Sequence, residues 1–190
     1  MKWKYKSFYI ILSFCMLLIL CSCGTKQAGP TIKPIEFPEE VQSVLQPLDP
    51  DTKFFDFTTD KSITHAVIAM RCCEDGTWND PEPILELSDM DVGSYQMILR
   101  WIDDRIDAII SEDGVSYTST YSIAQEHWDA FNASEITSTV GFGNEQPIVA
   151  GEEIPLWCTY GKNAAGISSQ SLDFRNSDCD TGFAITITFS

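Results

Sequence analysis

Hydrophobic and polar positions alternate in short runs over most of this chain. The clearest run is near the C-terminus, where Phe183, Ile185, Ile187 and Phe189 alternate with small or polar residues. Alternation with a period of two places these four side chains on one face of a β-strand. We therefore expect a strand that packs one face on a core and turns the other to water or to a light cover.

Runs of branched and aromatic residues, divided by Asp, Asn, Gly and Pro, recur from Thr52 onward and are typical of an all-β fold. They predict strands near residues 53–58, 62–73, 84–87, 94–101, 105–111, 114–121, 135–141, 153–160, 168–174 and 182–189. In the eighth of these, alternation predicts that Ile154, Leu156, Cys158 and Tyr160 share one face.

Tight turns separate several of the predicted strands. Glu74-Asp75-Gly76, Glu112-Asp113-Gly114 and Asp103-Asp104 each lie between two strand-like runs, and in such hairpin turns glycine or aspartate accepts a positive φ. Repeated hairpins predict an antiparallel β-sandwich, immunoglobulin-like or jelly-roll-like. Residues 123–131 interrupt the pattern and predict a helical turn with Trp128 and Phe131 on one side.

The region before the first strand lacks this alternation. Glycines and prolines spread among polar residues predict a flexible tether over residues 23–38, which could extend on the order of 45 Å. Pro38 and the two acids after it suit the first turn of a short N-terminal helix, which Pro47 and Pro50 end. The folded β-sandwich domain is then expected over residues 39–190.

The first residues have the layout of a secretory signal. Lys2, Lys4 and Lys6 precede a largely apolar run from Phe8 to Leu20. This run is shorter than the 20 or so apolar residues that a membrane-spanning helix needs. It predicts a signal peptide over residues 1–22.

Leu20-Cys21-Ser22-Cys23 follows the apolar run directly. This stretch resembles the lipobox of bacterial lipoproteins, which has a branched apolar residue at −3, a small residue at −1 and an acceptor cysteine. The resemblance implies that Cys23 carries a diacylglycerol, that signal peptidase II cuts before it, and that the protein is held on the extracytoplasmic face of the cell membrane. Two or three acyl chains give stable anchoring where one does not. The alternatives are an ordinary secretory signal and an uncleaved anchor.

A second resemblance covers most of the domain. Phe54-Phe55-Asp56-Phe57-Thr58, Asp75-Gly76-Thr77-Trp78 and Glu153-Ile154-Pro155-Leu156 follow one another in the order found in small Firmicutes lipoproteins. The cysteines and the Pro81-Glu82-Pro83 interruption depart from that pattern. The resemblance implies a lipoprotein domain but no particular activity.

The chain is strongly acidic, with 28 Asp and Glu against 12 Lys and Arg and a formal net charge of −16. Removing the lysine-bearing signal peptide makes the remainder more acidic still. Such a surface repels nucleic acid and excludes it as a partner, and it attracts basic partners or divalent cations. The plain interpretation of this acidity is solubility.

Four cysteines remain outside the signal segment and the acceptor position: Cys72, Cys73, Cys158 and Cys179. Adjacent residues of a strand point to opposite faces, so a Cys72–Cys73 bridge is strained. One disulfide from Cys72 or Cys73 to Cys158 or Cys179 is one possibility in an oxidising compartment, and four partly buried thiols are the other. The spacing of the cysteines and histidines does not suit a zinc site.

Few residues point to chemistry. The chain has no G-x-S-x-G, H-E-x-x-H or phosphate-binding glycine motif, so we expect no catalytic residues and favour a protein that is not an enzyme. Trp78, Trp128 and His127 lie at turns or in the irregular segment and are the candidate ligand contacts. Trp101 and Trp157 lie in strands and are expected in the core.

Calcium is the one cofactor that the acids suggest, since pairs such as Asp89 with Asp91, or Asp178 with Asp180, alternate in loop-like segments and offer oxygen ligands. Neither pair completes an EF-hand loop, so no metal site is assigned.

The sequence thus predicts a lipid-anchored, extracytoplasmic domain that binds a protein or a glycan at the cell surface. Two alternatives remain. One is a carboxylate-based hydrolase of envelope glycans, which needs two acids at a set separation. The other is a structural subunit of an envelope assembly, which would expose a large apolar patch.

Overall fold

The computed structural model describes residues 29–48, 50–163 and 171–190. The predicted signal peptide, the acceptor Cys23 and the first part of the predicted tether lie outside the described residues.

The described chain forms two antiparallel sheets. The strands are β1 (Thr31–Pro34), β2 (Thr52–Thr58), β3 (His65–Glu74), β4 (Thr77–Trp78), β5 (Glu82–Ser88), β6 (Ser94–Ile102), β7 (Arg105–Glu112), β8 (Val115–Ser122), β9 (Ile136–Gly141), β10 (Gln146–Pro147), β11 (Glu153–Lys162) and β12 (Thr181–Phe189). Sheet A has the order β10-β1-β2-β6-β7-β8. Sheet B has the order β4-β3-β12-β11-β9, and β5 pairs with β3.

The main core lies between the two sheets. The ring of Phe57 on β2 lies 5.3 Å from that of Phe189 on β12, and the indoles of Trp101 and Trp157 lie 5.4 Å apart across the same space. Side chains from both sheets are buried here because each strand turns alternate residues inward. The predicted antiparallel β-sandwich and the core positions of both tryptophans are confirmed.

The predicted hairpin turns are present. Asp75 and Gly76 have φ values of 47° and 75°, and Asp113 and Gly114 have values of 47° and 84°. Positive φ at both central positions gives a turn whose twist matches that of the flanking strands. Asp103 also has a positive φ, 51°, in the two-residue connection between β6 and β7.

Two helices accompany the sheets. α1 (Glu39–Leu48) is the predicted N-terminal helix and includes Pro47, and α2 (Gln125–Asn132) replaces the predicted helical turn. Trp128 and Phe131 on α2 pack on the ring of Phe183, so this helix closes one end of the sandwich. No helix among the described residues is long and apolar enough to span a membrane.

The predicted tether is wrong for Thr31–Pro34, which form strand β1. β1 pairs with β2 on one side and β10 on the other, and the side chain of Ile32 is completely buried. A strand of four residues with two prolines in or next to it is too short to show alternation in the sequence. It forms because the edge of β2 has backbone groups free to pair with it. The folded domain therefore starts before residue 39.

The prediction that Ile154, Leu156, Cys158 and Tyr160 share one face is wrong because β11 contains a bulge. Pro155 pairs with Thr186, and the next pair is Trp157 with Ile185, so Leu156 is an extra residue. An extra residue reverses the alternation beyond it. Ile154 and Leu156 face the main core, whereas Cys158 and Tyr160 face the outside of sheet B.

A strand over residues 168–174 was also predicted, and the described part of that segment is not a strand. Residues 171–173 are irregular, and Phe174–Asn176 form a single 3-10 turn. This segment lies over the outer face of sheet B, where Phe174 is buried. Leu172 and Phe174 therefore pack over the sheet instead of pairing as part of a strand.

Candidate functional site

The outer face of sheet A carries the most regular arrangement of exposed side chains. Strands β2, β6, β7 and β8 each turn alternate residues away from the core, and their registers align these residues into rows that run across the strands. Because residues two apart in a strand are about 7 Å apart, neighbouring rows have that spacing.

The middle row is apolar. Phe54 pairs with Ile98, Ile98 with Ile109, and Ile109 with Thr118. The first three side chains are half-buried, although they face away from the main core. The Phe54 ring also contacts the ring of Phe37, with centroids 5.0 Å apart and an edge-to-face geometry.

The two flanking rows are polar. The first consists of Thr52, Arg100, Asp107 and Thr120, and the second of Asp56, Gln96, Ser111 and Ser116. We call the apolar row and these two polar rows the three-row face.

Asp107 is the most strongly held group of the three-row face. Arg100 Nη2 and Thr120 Oγ1 each donate to a different Asp107 carboxylate oxygen, both at 2.8 Å, and the Arg105 Nε lies 3.6 Å away. The hydrogen bond from Arg100, followed by that from Thr120, lowers the pKa of Asp107. The carboxylate is therefore fixed in its charged form at neutral pH.

The second polar row is more open. Gln96 Nε2 donates to Asp56 Oδ1 at 3.5 Å, a long hydrogen bond, and the hydroxyls of Ser111 and Ser116 lie 2.8 Å apart. All four side chains line a depression of about 660 Å³ that also includes Lys33.

A second depression of about 420 Å³ adjoins the first. Lys33 and Asp56 line both, and the second continues past Glu36 to Asn144 and Glu145. The two together form a groove along one side of the three-row face. The groove offers donors and acceptors beside an apolar row.

The predicted ligand contacts His127 and Trp128 come together at the end of the sandwich that α2 closes. His127 Nδ1 lies 2.7 Å from Glu74 Oε1, and these groups form an ion pair when the imidazole is protonated. The Trp128 ring packs between Phe131 and Phe183, so most of its surface serves the core. This end of the sandwich therefore contains both predicted ligand contacts, but packed side chains fill its interior.

Trp78 packs on the outer face of sheet B. Its ring packs edge-to-face on Phe174 at 4.9 Å and on Tyr160 at 6.3 Å. The Trp78 indole N–H is buried without a hydrogen-bond partner among the described residues. Trp78 and Phe174 form part of a small second core, which we call the outer cluster.

The outer cluster also contains three of the four domain cysteines. Its buried members are Cys73, Cys158, Tyr160, Phe174, Cys179 and Ala184. Cys72 instead faces the main core, so the neighbours on β3 point to opposite sides as predicted. All four cysteines carry buried free thiols.

Glu153 holds in place the segment around Phe174 and Arg175, which covers the outer cluster. Arg71 Nε and Thr186 Oγ1 donate to Glu153 Oε1 at 2.8 Å, and Arg175 from the covering segment donates to Oε2. Burial alone would raise the pKa of Glu153, but the hydrogen bonds from these three residues lower it. The guanidinium of Arg175 also lies over the Phe174 ring, 4.6 Å from its centre.

The acids considered for calcium do not converge with other ligands. Within the described ranges, no group of three or more His, Cys, Asp or Glu side chains is placed to hold a metal ion. Lys162 pairs with Asp178, and the Asp180 carboxylate accepts from the Asn163 N–H at 2.8 Å. Calcium binding stays a prediction.

Sequence reasoning missed the three-row face. Alternation in each strand marks Gln96, Ile98 and Arg100 as residues on one face, but it does not give their partners. β2 pairs with β6 across three intervening strands, so the rows become visible only with the register.

No protein-family model matches this chain, and neither the curated proteins nor the solved structures compared with it include a match.

Proposed function

We propose that this chain is an extracytoplasmic lipoprotein, anchored through Cys23, whose domain binds an uncharged glycan on the three-row face without catalysing a reaction. The observation that carries the ligand proposal is the apolar row between two polar rows. A sugar ring has an apolar face and a polar rim, and such a surface can contact both at once.

The preorganised side chains support a binding role. Asp107 is already held by Arg100 and Thr120, and the Ser111 and Ser116 hydroxyls already contact each other. Groups that are ordered before binding lose less conformational entropy when the ligand arrives. Strand-borne side chains are also positioned more precisely than side chains on loops.

The charge of the chain narrows the ligand class. The net charge is −16, and the groove of the three-row face includes Asp56, Glu112 and Asp113 against the single lysine Lys33. An anionic polymer would meet repulsion in this groove. An uncharged polymer that offers hydroxyl or amide groups fits better.

The ligand proposal is tested with the full chain and a panel of uncharged oligosaccharides that includes N-acetylglucosamine oligomers. We expect saturable binding in calorimetry, and we expect the double variant Asp56→Ala/Gln96→Ala to bind about tenfold more weakly because it removes two hydrogen-bonding groups. The matched control is Glu86→Ala, which removes an exposed acid and its contact with His65 on sheet B. The proposal is contradicted if no oligosaccharide binds, or if the double variant binds as tightly as the wild-type chain.

The anchor proposal has a separate test. Cys23→Ala should abolish incorporation of labelled fatty acid and leave unprocessed precursor, because the acceptor thiol is gone. Cys21→Ala is the matched control and should keep the label, since it leaves Cys23 in place. Continued labelling of the Cys23→Ala chain contradicts a lipid anchor at this residue.

A hydrolase remains the second candidate because Asp56 and Glu112 line the same depression. The pKa values of Asp60, Asp107 and Glu153 are lowered, so none of these three carboxyls suits the role of general acid. A general acid needs a raised pKa. Release of reducing ends from a bound oligosaccharide, lost in Glu112→Gln, would favour the hydrolase over simple binding.

A structural role in an envelope assembly is the third candidate. Helix α1 leaves Val41 and Val44 exposed by 42% and 58% of their surface. These two residues are one helical turn apart and share a face. A larger particle for the full chain in size-exclusion chromatography, reduced by Val44→Asp, would support this role.

A further inference from the structure

Cys73 and Cys179 meet in the outer cluster. Their sulfur atoms lie 3.5 Å apart although 106 positions separate them in the sequence. Both side chains are almost completely buried. A disulfide requires the sulfurs to approach to about 2.05 Å, a further movement that small side-chain rotations can supply.

The backbone around each cysteine is held in place. Cys73 lies in the ladder between β3 and β12, opposite Gly182, and pairs with Trp78 on the other side. Cys179 is fixed by hydrogen bonds of its neighbour Asp180, whose N–H donates to Gly161 O at 2.9 Å and whose carbonyl accepts from Gly76 at 3.2 Å. The backbone of sheet B and of the β3–β4 hairpin therefore holds the two thiols next to each other.

The other two domain cysteines are placed differently. Cys72 points into the main core, on the opposite side of sheet B from Cys179. Cys158 belongs to the outer cluster through the bulge in β11. The thiols of Cys73 and Cys179 are hydrogen-bonded to each other, and Ser177 Oγ lies 3.2 Å from the Cys179 sulfur.

The surroundings make Cys179 the more acidic thiol of the pair. Its hydrogen bond with Cys73, supported by Ser177, lowers the pKa of Cys179, and the same interaction raises that of Cys73. Burial raises the pKa of Cys72 and of Cys158 to about 12. The thiolate is the nucleophile in disulfide exchange, so Cys179 is the favoured attacking group.

We propose that Cys73 and Cys179 form the disulfide of this domain when the chain folds in an oxidising compartment, and that Cys72 and Cys158 stay as thiols. The oxidant is a disulfide, either a small molecule such as glutathione disulfide or a thiol oxidoreductase. The Cys179 thiolate attacks the oxidant and releases one thiol. The Cys73 thiol then loses its proton, attacks the mixed disulfide and releases the second thiol. Two domain thiols are oxidised by two electrons, and the oxidant is reduced to two thiols.

This bridge would fix the cover of the outer cluster. Cys179 ends the segment that carries Phe174 and Arg175 and that contacts Glu153. Cys73 lies near the end of β3 and pairs with both β12 and β4, so the bridge ties the cover to the backbone of sheet B. The inference concerns the stability of the domain and does not depend on the proposed glycan.

The experiment refolds the full chain from urea in a buffer of glutathione and glutathione disulfide. After alkylation under denaturing conditions, peptide mapping should give one linked pair that contains Cys73 and Cys179, with a mass about 2 Da below that of the two reduced peptides. The oxidised chain should melt roughly 10 °C above the reduced chain, because the bridge closes a long loop.

Cys73→Ser and its neighbour Cys72→Ser are matched variants on the same strand. Oxidation should leave the Tm of Cys73→Ser unchanged, whereas Cys72→Ser should still form the bridge and gain its Tm shift. Circular dichroism establishes that each variant is folded. A linked peptide that contains Cys72 or Cys158, or four alkylated domain cysteines in the refolded wild-type chain, overturns the proposal, and neither result depends on a variant.

Discussion

The outer faces of the two sheets differ although both sheets are antiparallel and share one core. The outer face of sheet A is polar apart from one apolar row. The groove that includes Lys33 and Asp56 runs along one side of this face. The outer face of sheet B is covered by the segment around Phe174, which buries a second cluster of apolar side chains and thiols.

The difference shows in the central strands. On β6, exposed or half-exposed residues alternate with buried ones, as in a strand with one solvated face. On β12, both faces are buried from Gly182 to Ile187. Sheet A therefore keeps one face largely solvated, whereas sheet B buries its second face as well.

The largest expected effect tests the core that both sheets share. Ile187→Asp places an unpaired charge at a fully buried position of β12 and should destabilise the domain by about 4 kcal/mol, enough to unfold it in mild urea. Urea denaturation followed by tryptophan fluorescence measures the effect. The neighbouring Thr188→Asp is the control, since Thr188 is partly exposed and should cost far less. A near-native urea midpoint for Ile187→Asp would refute the inward direction of this residue.

The next effect separates the covered face from the open one. Phe174→Ala should lower the free energy of unfolding by about 3 kcal/mol, because it empties the centre of the outer cluster. Ile109→Ala on the three-row face should cost about 1 kcal/mol, since Ile109 is only half-buried. Equal losses for the two variants in urea titrations would show that the two faces are not as different as the packing indicates.

The smallest effect compares the two charged clusters through pH. Both Glu153 and Asp107 have lowered pKa values in the folded state, so each contributes stability above its unfolded pKa and loses it as the pH falls through the folded value. We expect Glu153→Gln to cost about 2 kcal/mol at pH 7, and Asp107→Asn about 1 kcal/mol because its partner Arg100 is more exposed.

The pH experiment measures urea midpoints between pH 7 and pH 2. Each variant should approach the wild-type chain in stability as the pH falls from the unfolded pKa of about 4 through the lowered folded pKa, because the wild-type carboxylate becomes protonated over that range. A constant difference at every pH would mean that the lost stability comes from packing and not from the ionised carboxylate.

Much of the fold could be predicted from alternation and turn chemistry. The Asp-Gly pairs after Glu74 and Glu112 identify two hairpins because few residues accept positive φ. Alternation located β12 and the core face of its four large apolar residues. These features are local, so a single sequence contains them.

The wrong predictions concern residues whose structure depends on a partner strand that is distant in the sequence. β1 is a strand because β2 and β10 pair with it, and nothing within Thr31–Pro34 indicates those partners. The bulge at Leu156 depends on the fit of β11 to β12, and it moved Cys158 to the opposite face. The candidate site needed the same kind of information, because cross-strand rows exist only when register is known.

The early start of β1 limits how far the domain can move if Cys23 carries the anchor. Eight peptide units join Cys23 to Thr31, and fully extended they span about 28 Å, well short of the distance that a tether to residue 38 would allow. The domain would then sample a thin layer above the bilayer, at a high effective concentration towards ligands in that layer. A glycan near the membrane surface would be met repeatedly by two-dimensional diffusion, and one deeper in the envelope would be met less often.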